Sequence, residues 1–141
     1  MQRLVREAKL YPNKKQQEKL LVLFEDCRKL YNTILETKIK AYQDEKKTIH
    51  RFELHKMFKD YEADIPATLK QSVANRVNTA YDRFFRKLGK FPRFKSKNRF
   101  RSIELRQYKT DYRIKGNYLS IWRNIGYLRM RGMQELNNPK G

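Results

Sequence analysis

The spacing of hydrophobic positions changes twice along the chain and divides it into three stretches. The first, "RLVREAKLYP" at residues 3–12, alternates imperfectly between two faces and predicts a strand that ends at Pro12. Apolar positions then recur every three to four residues, as in helices, up to Leu88. After Gly89 short alternating runs return, separated by turn signals. The predicted order is one strand, about four helices, and three or four antiparallel strands.

The helical stretch begins at "NKKQ", where Asn13 and Gln16 have the spacing of a capping box. We expect one helix, or two in succession, over residues 14–44 and a shorter helix over residues 50–61. Pro66 opens the next helix and Gly89 is its predicted stop. The inward positions predicted for the last two helices are Leu54, Met57, Phe58 and Tyr61, and then Leu69, Val73, Val77, Ala80, Tyr81, Phe84 and Leu88.

The C-terminal runs "SIELRQY", "YRIKG", "YLSIW" and "GYLRMRG" predict strands, with turns at 109–111, 116–117 and 123–126. The simplest architecture is α+β, a small antiparallel β-barrel or sheet interrupted by an inserted helical bundle. The predicted domains are the first strand (1–12), the helical domain (13–89), the rest of the β-barrel (90–133), and a linker or cut end (134–141).

The charge is large and uneven. The formal net charge is +19, and residues 83–141 hold 17 basic but only 3 acidic residues. The stretch "KFPRFKSKNRFR", residues 90–101, has six Lys or Arg, three Phe and no acid. Such an excess favours nucleic acid as the partner. An anionic membrane is the weaker alternative, because no apolar run approaches the ~20 residues of a spanning helix.

The phenylalanines of residues 90–101 have two open interpretations. Their rings can stack on unpaired bases, or they can pin the segment onto the core while the charges face a polyanion. We expect at least one to anchor the segment, and Phe100 to be the one left available for stacking. We also expect Tyr118 and Trp122 to be core residues.

No arrangement of residues points to catalysis. His50 and His55 lack metal-ligand spacing and are expected to be ordinary helix residues. The single cysteine, Cys27, lies on an apolar stripe and is expected to be a buried structural thiol, which suits a reducing cytoplasm.

Four stretches together resemble the N-terminal part of the TnpB (OrfB-type) transposon proteins, over roughly residues 3–132. They are "LYPNKKQQEKLLVLFEDCRKLYN", "IPATLKQSVANRVNTAYDRFF", "KFPRFKSKN" and "IKGNYLSIWRNIGYLRMRG". The most specific elements are "FPRFKSK" with the upstream "RFF", and C-R-x-x-Y-N at Cys27–Asn32. Members of that family are RNA-guided DNA endonucleases of bacterial insertion sequences, related to small type V CRISPR effectors.

The resemblance implies a wedge β-barrel interrupted by a helical recognition domain. It also implies two partners, a guide RNA and double-stranded target DNA bearing a short motif. The predicted RNA-binding residues are Arg86, Lys87, Lys90, Arg93, Lys95, Lys97, Arg99 and Arg101. The predicted DNA-binding residues are Lys70, Gln71, Asn75 and Arg76, whose alternative is plain helix surface.

The family's chemistry lies in a C-terminal RuvC-type domain with acidic metal ligands and a zinc-finger insert. We expect no catalytic residue in this chain, and Mg²⁺ or Zn²⁺ only in that missing domain. The leading hypothesis is a cytoplasmic, nucleoid-associated nucleic-acid-binding module of a bacterium or archaeon. The alternatives are one piece of a split or truncated endonuclease that needs a separate RuvC-type chain, or a nuclease-free RNA-guided regulator.

Overall fold

The computed structural model describes residues 8–61, 65–106, 108–109, 111–121 and 125–131. Within them the chain forms three α-helices and four β-strands, which confirms the predicted mixture of helices and antiparallel strands. In chain order the elements are β1 Lys9–Tyr11, α1 Lys14–Glu45, α2 Arg51–Met57, α3 Ala67–Phe85, β2 Tyr112–Lys115, β3 Tyr118–Ile121 and β4 Tyr127–Arg131.

The chain divides into two compact units. The sheet unit joins the N-terminal segment up to Leu21 with the segment from residue 107 onward, and the helical unit runs from Val22 to Arg106. Residues 90–106 therefore belong to the helical unit. The predicted domain boundaries themselves stay predictions.

The sheet unit is built around four antiparallel strands in the order β1-β4-β3-β2. β1 pairs with the last strand, Leu10 opposite Met130, although the whole helical stretch separates them in sequence. A two-residue turn joins β2 to β3, and Gly116 has the positive φ of 58° that glycine adopts without steric cost. The sheet is open within the described residues, so closure into a barrel stays a prediction.

The predicted strand "SIELRQY" is wrong. Residues 102–106 have no strand structure, and residue 107 lies outside the described residues. The alternation of Ile103 and Leu105 is real, and both are half-buried. The Ser102 carbonyl, however, accepts a hydrogen bond from Arg76 Nη1 at 2.7 Å. This segment therefore runs along α3 rather than beside another strand.

Helix α1 is one continuous helix, and its capping box is confirmed. The Asn13 N–H donates to Gln16 Oε1 at 2.9 Å, and the Gln16 N–H donates to Asn13 Oδ1 at 2.8 Å. Gln16 Nε2 also donates to the carbonyl oxygens of Ile125 and Tyr127, at 3.2 and 2.7 Å. The same glutamine thus caps the helix and, within the sheet unit, bonds the start of the helix to the chain at β4.

Helix α2 is shorter than expected, and one of its predicted core positions is wrong. Leu54 is fully buried, but Met57 is 53% exposed because the helix ends there. Pro66 directly precedes α3, as predicted. Toward α2, the α3 side chain of Lys70 donates from Nζ to the carbonyl oxygens of Lys59 and Tyr61.

The predicted stop of α3 at Gly89 is also wrong. The helix ends four residues earlier, in a Schellman motif centred on Lys87, whose φ is 60°. The Lys87 N–H donates to the Phe84 carbonyl at 3.0 Å, and the Leu88 N–H donates to the Arg83 carbonyl at 2.8 Å. Because the chain turns here, Leu88 points outward rather than continuing the apolar stripe.

The core of the helical unit lies mainly between α1 and α3. The buried α1 side chains are Leu23, Cys27, Leu30, Tyr31, Ile34, Leu35 and Lys38, and the buried α3 side chains are Leu69, Ser72, Val73, Ala74, Val77 and Tyr81. Fully burying a leucine- or valine-sized side chain contributes roughly 1.5–3 kcal/mol. These two stripes therefore supply most of the stabilisation of this unit.

The buried thiol of Cys27 gives a direct test of this packing. Burial raises the pKa of Cys27 from its ordinary 9.0 to about 12, so at pH 8 the reactive thiolate is suppressed by roughly a thousandfold. We expect the native protein to resist alkylation by iodoacetamide at pH 8, and the protein in 6 M guanidinium to react at once. Mass spectrometry of the alkylated fraction measures this, and rapid labelling of the native thiol would contradict the packing.

Candidate nucleic-acid interface

Residues 90–101, which we call the basic segment, contain no helix or strand, yet a side chain of α1 binds their backbone. The Lys95 N–H donates to Asn32 Oδ1 at 2.7 Å, and Asn32 Nδ2 donates to the Lys95 carbonyl at 3.0 Å. The amide of Asn32 therefore satisfies both backbone groups of one residue, as a neighbouring strand would.

Arg28, one turn before Asn32 on α1, also binds the backbone of Lys95. Its Nη1 donates to the Lys95 carbonyl at 3.0 Å, while its guanidinium forms an ion pair with Glu25. The hydrogen bond from Arg28 lowers the pKa of Glu25, and the same bond raises the pKa of Arg28. The C-R-x-x-Y-N motif thus has a structural role, because its Arg and Asn both hold Lys95.

The two ends of the basic segment are anchored by aromatic packing. Near the start, the ring of Phe91 lies edge-on to Tyr81 and Phe84, with centroids 5.6 and 5.1 Å apart, and Pro92 is buried. At the end, the Phe100 ring packs against Tyr31, with centroids 6.0 Å apart.

The expectation for Phe100 is therefore wrong. It is the most buried phenylalanine of the basic segment, only 4% exposed, and the Arg76 guanidinium lies 4.5 Å from its ring centroid. Phe94 is the most exposed ring of the segment, at 55%, while Phe91 is 45% exposed and packs with one side only. The hydrogen bonds that hold Lys95 on Asn32 fix the segment, and Phe100 packs against Tyr31, the residue directly before Asn32.

The predicted RNA-binding side chains lie mostly free of the core. The exposed residues are Arg86, Lys87, Lys90, Arg93, Lys97, Arg99 and Arg101. Arg86 forms a surface ion pair with Asp82 at 3.5 Å, and Arg101 Nε donates to the Asn98 carbonyl. Lys95 differs from the rest, because it is half-buried with Nζ 5.7 Å from the Tyr31 ring centroid. The basic segment thus carries five exposed cations, three of them between its aromatic anchors, and no acid.

The predicted DNA-binding residues of α3 divide into two kinds. Lys70 donates to carbonyl oxygens, Asn75 Oδ1 lies 3.1 Å from His55 Nε2, and Arg76 bonds Ser102 and covers Phe100. These three side chains have intramolecular partners. Gln71 is exposed.

A second basic surface lies on one face of the sheet, and the sequence argument missed it. The strand register brings Tyr11, Arg129, Tyr118 and Lys115 into one row across all four strands. The neighbouring rows add Lys9 opposite Arg131, and Tyr127 and Arg113 on either side of Ser120. We call the eight exposed residues of these rows the sheet face; none is acidic.

The tyrosines of the sheet face are held close to its cations. Lys9 Nζ and Arg131 Cζ each lie 5.4 Å from the ring centroid of Tyr11, within cation–π range. Tyr118 is 48% exposed and edge-on to Tyr127, so the prediction that Tyr118 belongs to the core is wrong. Strand alternation decides this, since Leu119 is the residue that turns inward. Trp122 lies outside the described residues.

The described residues contain neither a metal-binding cluster nor a membrane-spanning helix. They bring together no group of three His, Cys, Asp or Glu side chains that could hold a metal ion. None of the helices described is long and apolar enough to cross a membrane.

The pair of hydrogen bonds between the Asn32 amide and the Lys95 backbone, which we call the clamp, should hold the basic segment in place. Replacing Asn32 by Ala leaves the Lys95 N–H without its partner, while the Lys95 carbonyl keeps the bond from Arg28, and the lost partner should cost about 1–3 kcal/mol. We expect Asn32→Ala to lower the free energy of unfolding in urea by that amount and to speed trypsin cleavage at residues 90–101. Thr33→Ala is the matched control, because the Thr33 hydroxyl bonds only the Lys29 carbonyl of its own helix. Equal effects from the two substitutions would contradict the clamp.

The two phenylalanines Phe94 and Phe100 should behave in opposite ways. Phe100→Ala removes a buried ring and should cost about 3–5 kcal/mol of stability. Phe94→Ala removes an exposed ring and should leave the free energy of unfolding within about 0.5 kcal/mol. Chemical denaturation measures both, and a large destabilisation by Phe94→Ala would show that the segment is placed wrongly.

Comparison with known families adds an independent observation. Residues 1–47, the N-terminal third of the chain, match the family model HTH_OrfB_IS605, which is described as a helix-turn-helix domain. No curated protein matches the chain. Over the described part of the match the chain forms β1 and the single helix α1, and the next helix begins at Arg51. This match supports the resemblance of the N-terminal part of the chain to the N-terminal part of the TnpB/OrfB-type transposon proteins.

Proposed function

We propose that this chain is a nucleic-acid-binding module of a TnpB/OrfB-type protein that grips structured RNA and contacts duplex DNA. The observation that carries the proposal is the anchored basic segment. Its exposed cations project from a backbone held at three points, with no acid among them. Neutralising phosphates releases counterions, which is a large and sequence-independent source of affinity.

Anchoring favours this role over that of a merely solvated loop. A free loop must lose backbone entropy when it binds, roughly 1–2 kcal/mol for each residue that becomes ordered. In the basic segment Asn32, Arg28 and the rings of Phe91 and Phe100 have already ordered the backbone. Only side-chain freedom remains to be lost when phosphates are bound.

The sheet face supports RNA as the partner. Exposed tyrosines beside cations are suited to stacking on unpaired bases, at ~1–3 kcal/mol per base, while the cations meet phosphates. Unpaired bases are common in the loops and bulges of folded RNA and rare in duplex DNA. We propose that Tyr11, Tyr118 and Tyr127 make such contacts with a guide RNA scaffold.

The helix-turn-helix match favours duplex DNA as a second partner. Among the α3 residues considered, Gln71 is the one we propose for base contact, because it is exposed and its amide can pair with an adenine edge. Lys70, Asn75 and Arg76 would have to give up intramolecular partners to reach DNA, so we assign them to shaping this surface.

The salt dependence of binding tests the basic segment. Substituting Arg93, Lys97 and Arg99 together by Ala should remove up to three phosphate contacts. The slope of log affinity against log salt should then flatten by about two, at ~0.7–0.9 per contact. Filter binding of a structured RNA between 50 and 300 mM salt measures the slope.

The control is a triple variant in which Lys40, Lys56 and Lys59, exposed lysines elsewhere in the helical unit, become Ala. It removes the same charge and should leave the slope nearly unchanged. An equal loss in both variants would mean that the basic segment is not the site, and absent or salt-independent RNA binding would overturn the proposed function.

The resemblance to the TnpB-type proteins suggests a second candidate, in which the module acts as the binding part of an RNA-guided endonuclease. Catalysis would then come from a RuvC-type domain, carried on a separate chain. We expect the chain alone with Mg²⁺ to leave target DNA intact and cleavage to appear when such a partner is added. Unchanged DNA with the partner present would favour the nuclease-free regulator instead.

A further inference from the structure

The helical unit contains a polar pocket that neither the basic segment nor the sheet face includes. It is an open cavity of about 440 Å³ bordered by α1, the connection before α2, and α3. This lies within the ~300–1,000 Å³ range of small-molecule sites. Its inner wall contains Lys38, Asn78 and Tyr81, and its outer wall includes Arg51, Arg106 and Phe85.

Lys38 is an unusual residue for the core of a small unit. It is only 6% exposed, and no carboxylate within the described chain forms an ion pair with it. Its Nζ donates to Asn78 Oδ1 at 2.6 Å and lies 4.8 Å from the Tyr81 ring centroid. Burial lowers the pKa of Lys38. Burying a cation without an anionic partner is costly, so the fold retains it at the expense of stability.

Two buried polar groups near Lys38, the Asn78 NH₂ and the Tyr81 hydroxyl, have no hydrogen-bond acceptor among the described residues. A lysine ammonium can only donate, so it fixes the Asn78 amide with its oxygen toward Lys38 and its NH₂ group turned away. That Nδ2 and the Tyr81 hydroxyl are both buried, and neither has a hydrogen-bond partner among the described residues. An unsatisfied buried polar group costs about 1–3 kcal/mol, and here two lie beside a cation that has no ion pair and feels only the more distant charge of Asp82.

The missing partner must therefore be anionic and rich in acceptors. Phosphate oxygens meet both conditions, and charge-assisted hydrogen bonds to them are about twice as strong as neutral ones. Arg51 adds positive charge at the outer wall, where Arg106 forms an ion pair with Glu104 and the one lining acid, Asp82, forms an ion pair with Arg86. The half-exposed ring of Phe85 offers an apolar surface next to this phosphate position.

We propose that this pocket binds one unpaired nucleotide, with its phosphate on Lys38, Asn78 and Tyr81 and its base against Phe85. The nucleotide is either free or part of a bound strand. The second source rests on the proposed function, whereas the first does not.

The test uses the full chain and two nucleotide sources. Calorimetry measures binding of adenosine 5′-monophosphate and of adenosine, which lacks the phosphate. A second arm compares an RNA hairpin carrying one bulged nucleotide with the same hairpin fully paired. The variants are Lys38→Met, which keeps the length of the side chain, and Tyr81→Phe, which removes only a hydroxyl that has no protein partner. Lys40→Met is the control, since Lys40 is exposed on the same helix and paired with Glu36.

We expect Lys38→Met to weaken monophosphate binding, or the preference for the bulged hairpin, by at least about tenfold. Tyr81→Phe should weaken it about threefold or more without lowering the melting temperature, and Lys40→Met should change it less than twofold. If Lys38→Met and Tyr81→Phe weaken binding of the monophosphate, the ligand is a free nucleotide. If they weaken only the preference for the bulged hairpin, the ligand is a nucleotide within a strand.

The inference is overturned if neither probe binds better than its control ligand, or if Tyr81→Phe and Lys38→Met bind as the wild type does. That outcome leaves the proposed function standing if salt-dependent RNA binding persists. Loss of RNA binding by the wild-type chain at all salt concentrations would instead remove the proposed function.

Discussion

The pair of hydrogen bonds between the Asn32 amide and the backbone of Lys95 is the constraint on which the candidate interface depends. Residues 90–101 carry too much charge to be buried and too few intra-segment bonds to order themselves. One amide on α1 supplies the donor and the acceptor that a neighbouring strand would have supplied. The backbone then has a defined position, and the cations on it have defined directions.

Several core residues contact the basic segment in the position that this constraint gives it. Tyr31, the residue directly before Asn32, packs against the ring of Phe100. The Arg76 guanidinium of α3 lies over the same ring and also bonds the Ser102 carbonyl. Tyr81 packs against Phe91 on one side and lies beside Lys38 on the other. A charged surface segment is thus continuous with the packing of α1 on α3, and a change in either should be felt in both.

Sequence reasoning succeeded where a local pattern determines the outcome. The capping box at Asn13, the three-to-four spacing of α1 and the turn at Gly116 each depend on neighbouring residues, and each is present. Sequence reasoning failed where a residue distant in the chain determines the local structure. The pattern at Ile103 and Leu105 resembles a strand, but Arg76 takes the Ser102 carbonyl instead.

The site shows the same division between local and distant causes. Composition alone located the basic segment, but whether Phe94 or Phe100 faces solvent depends on the register that Asn32 imposes from 63 positions away. The sheet face was missed because its eight members come from four strands at the two ends of the chain, and only strand pairing joins them. The C-R-x-x-Y-N spacing was a usable signal, since positions one turn apart on a helix share a face.

The central claim is that the anchored basic segment is a surface that binds nucleic acid. The most direct measurement is lysine acetylation with and without a saturating structured RNA, read residue by residue by mass spectrometry. We expect strong protection of Lys90 and Lys97 by RNA and little change at Lys40 and Lys56, which are also exposed but lie elsewhere in the helical unit. Equal protection of all four lysines, or none at Lys90 and Lys97, would contradict the central claim.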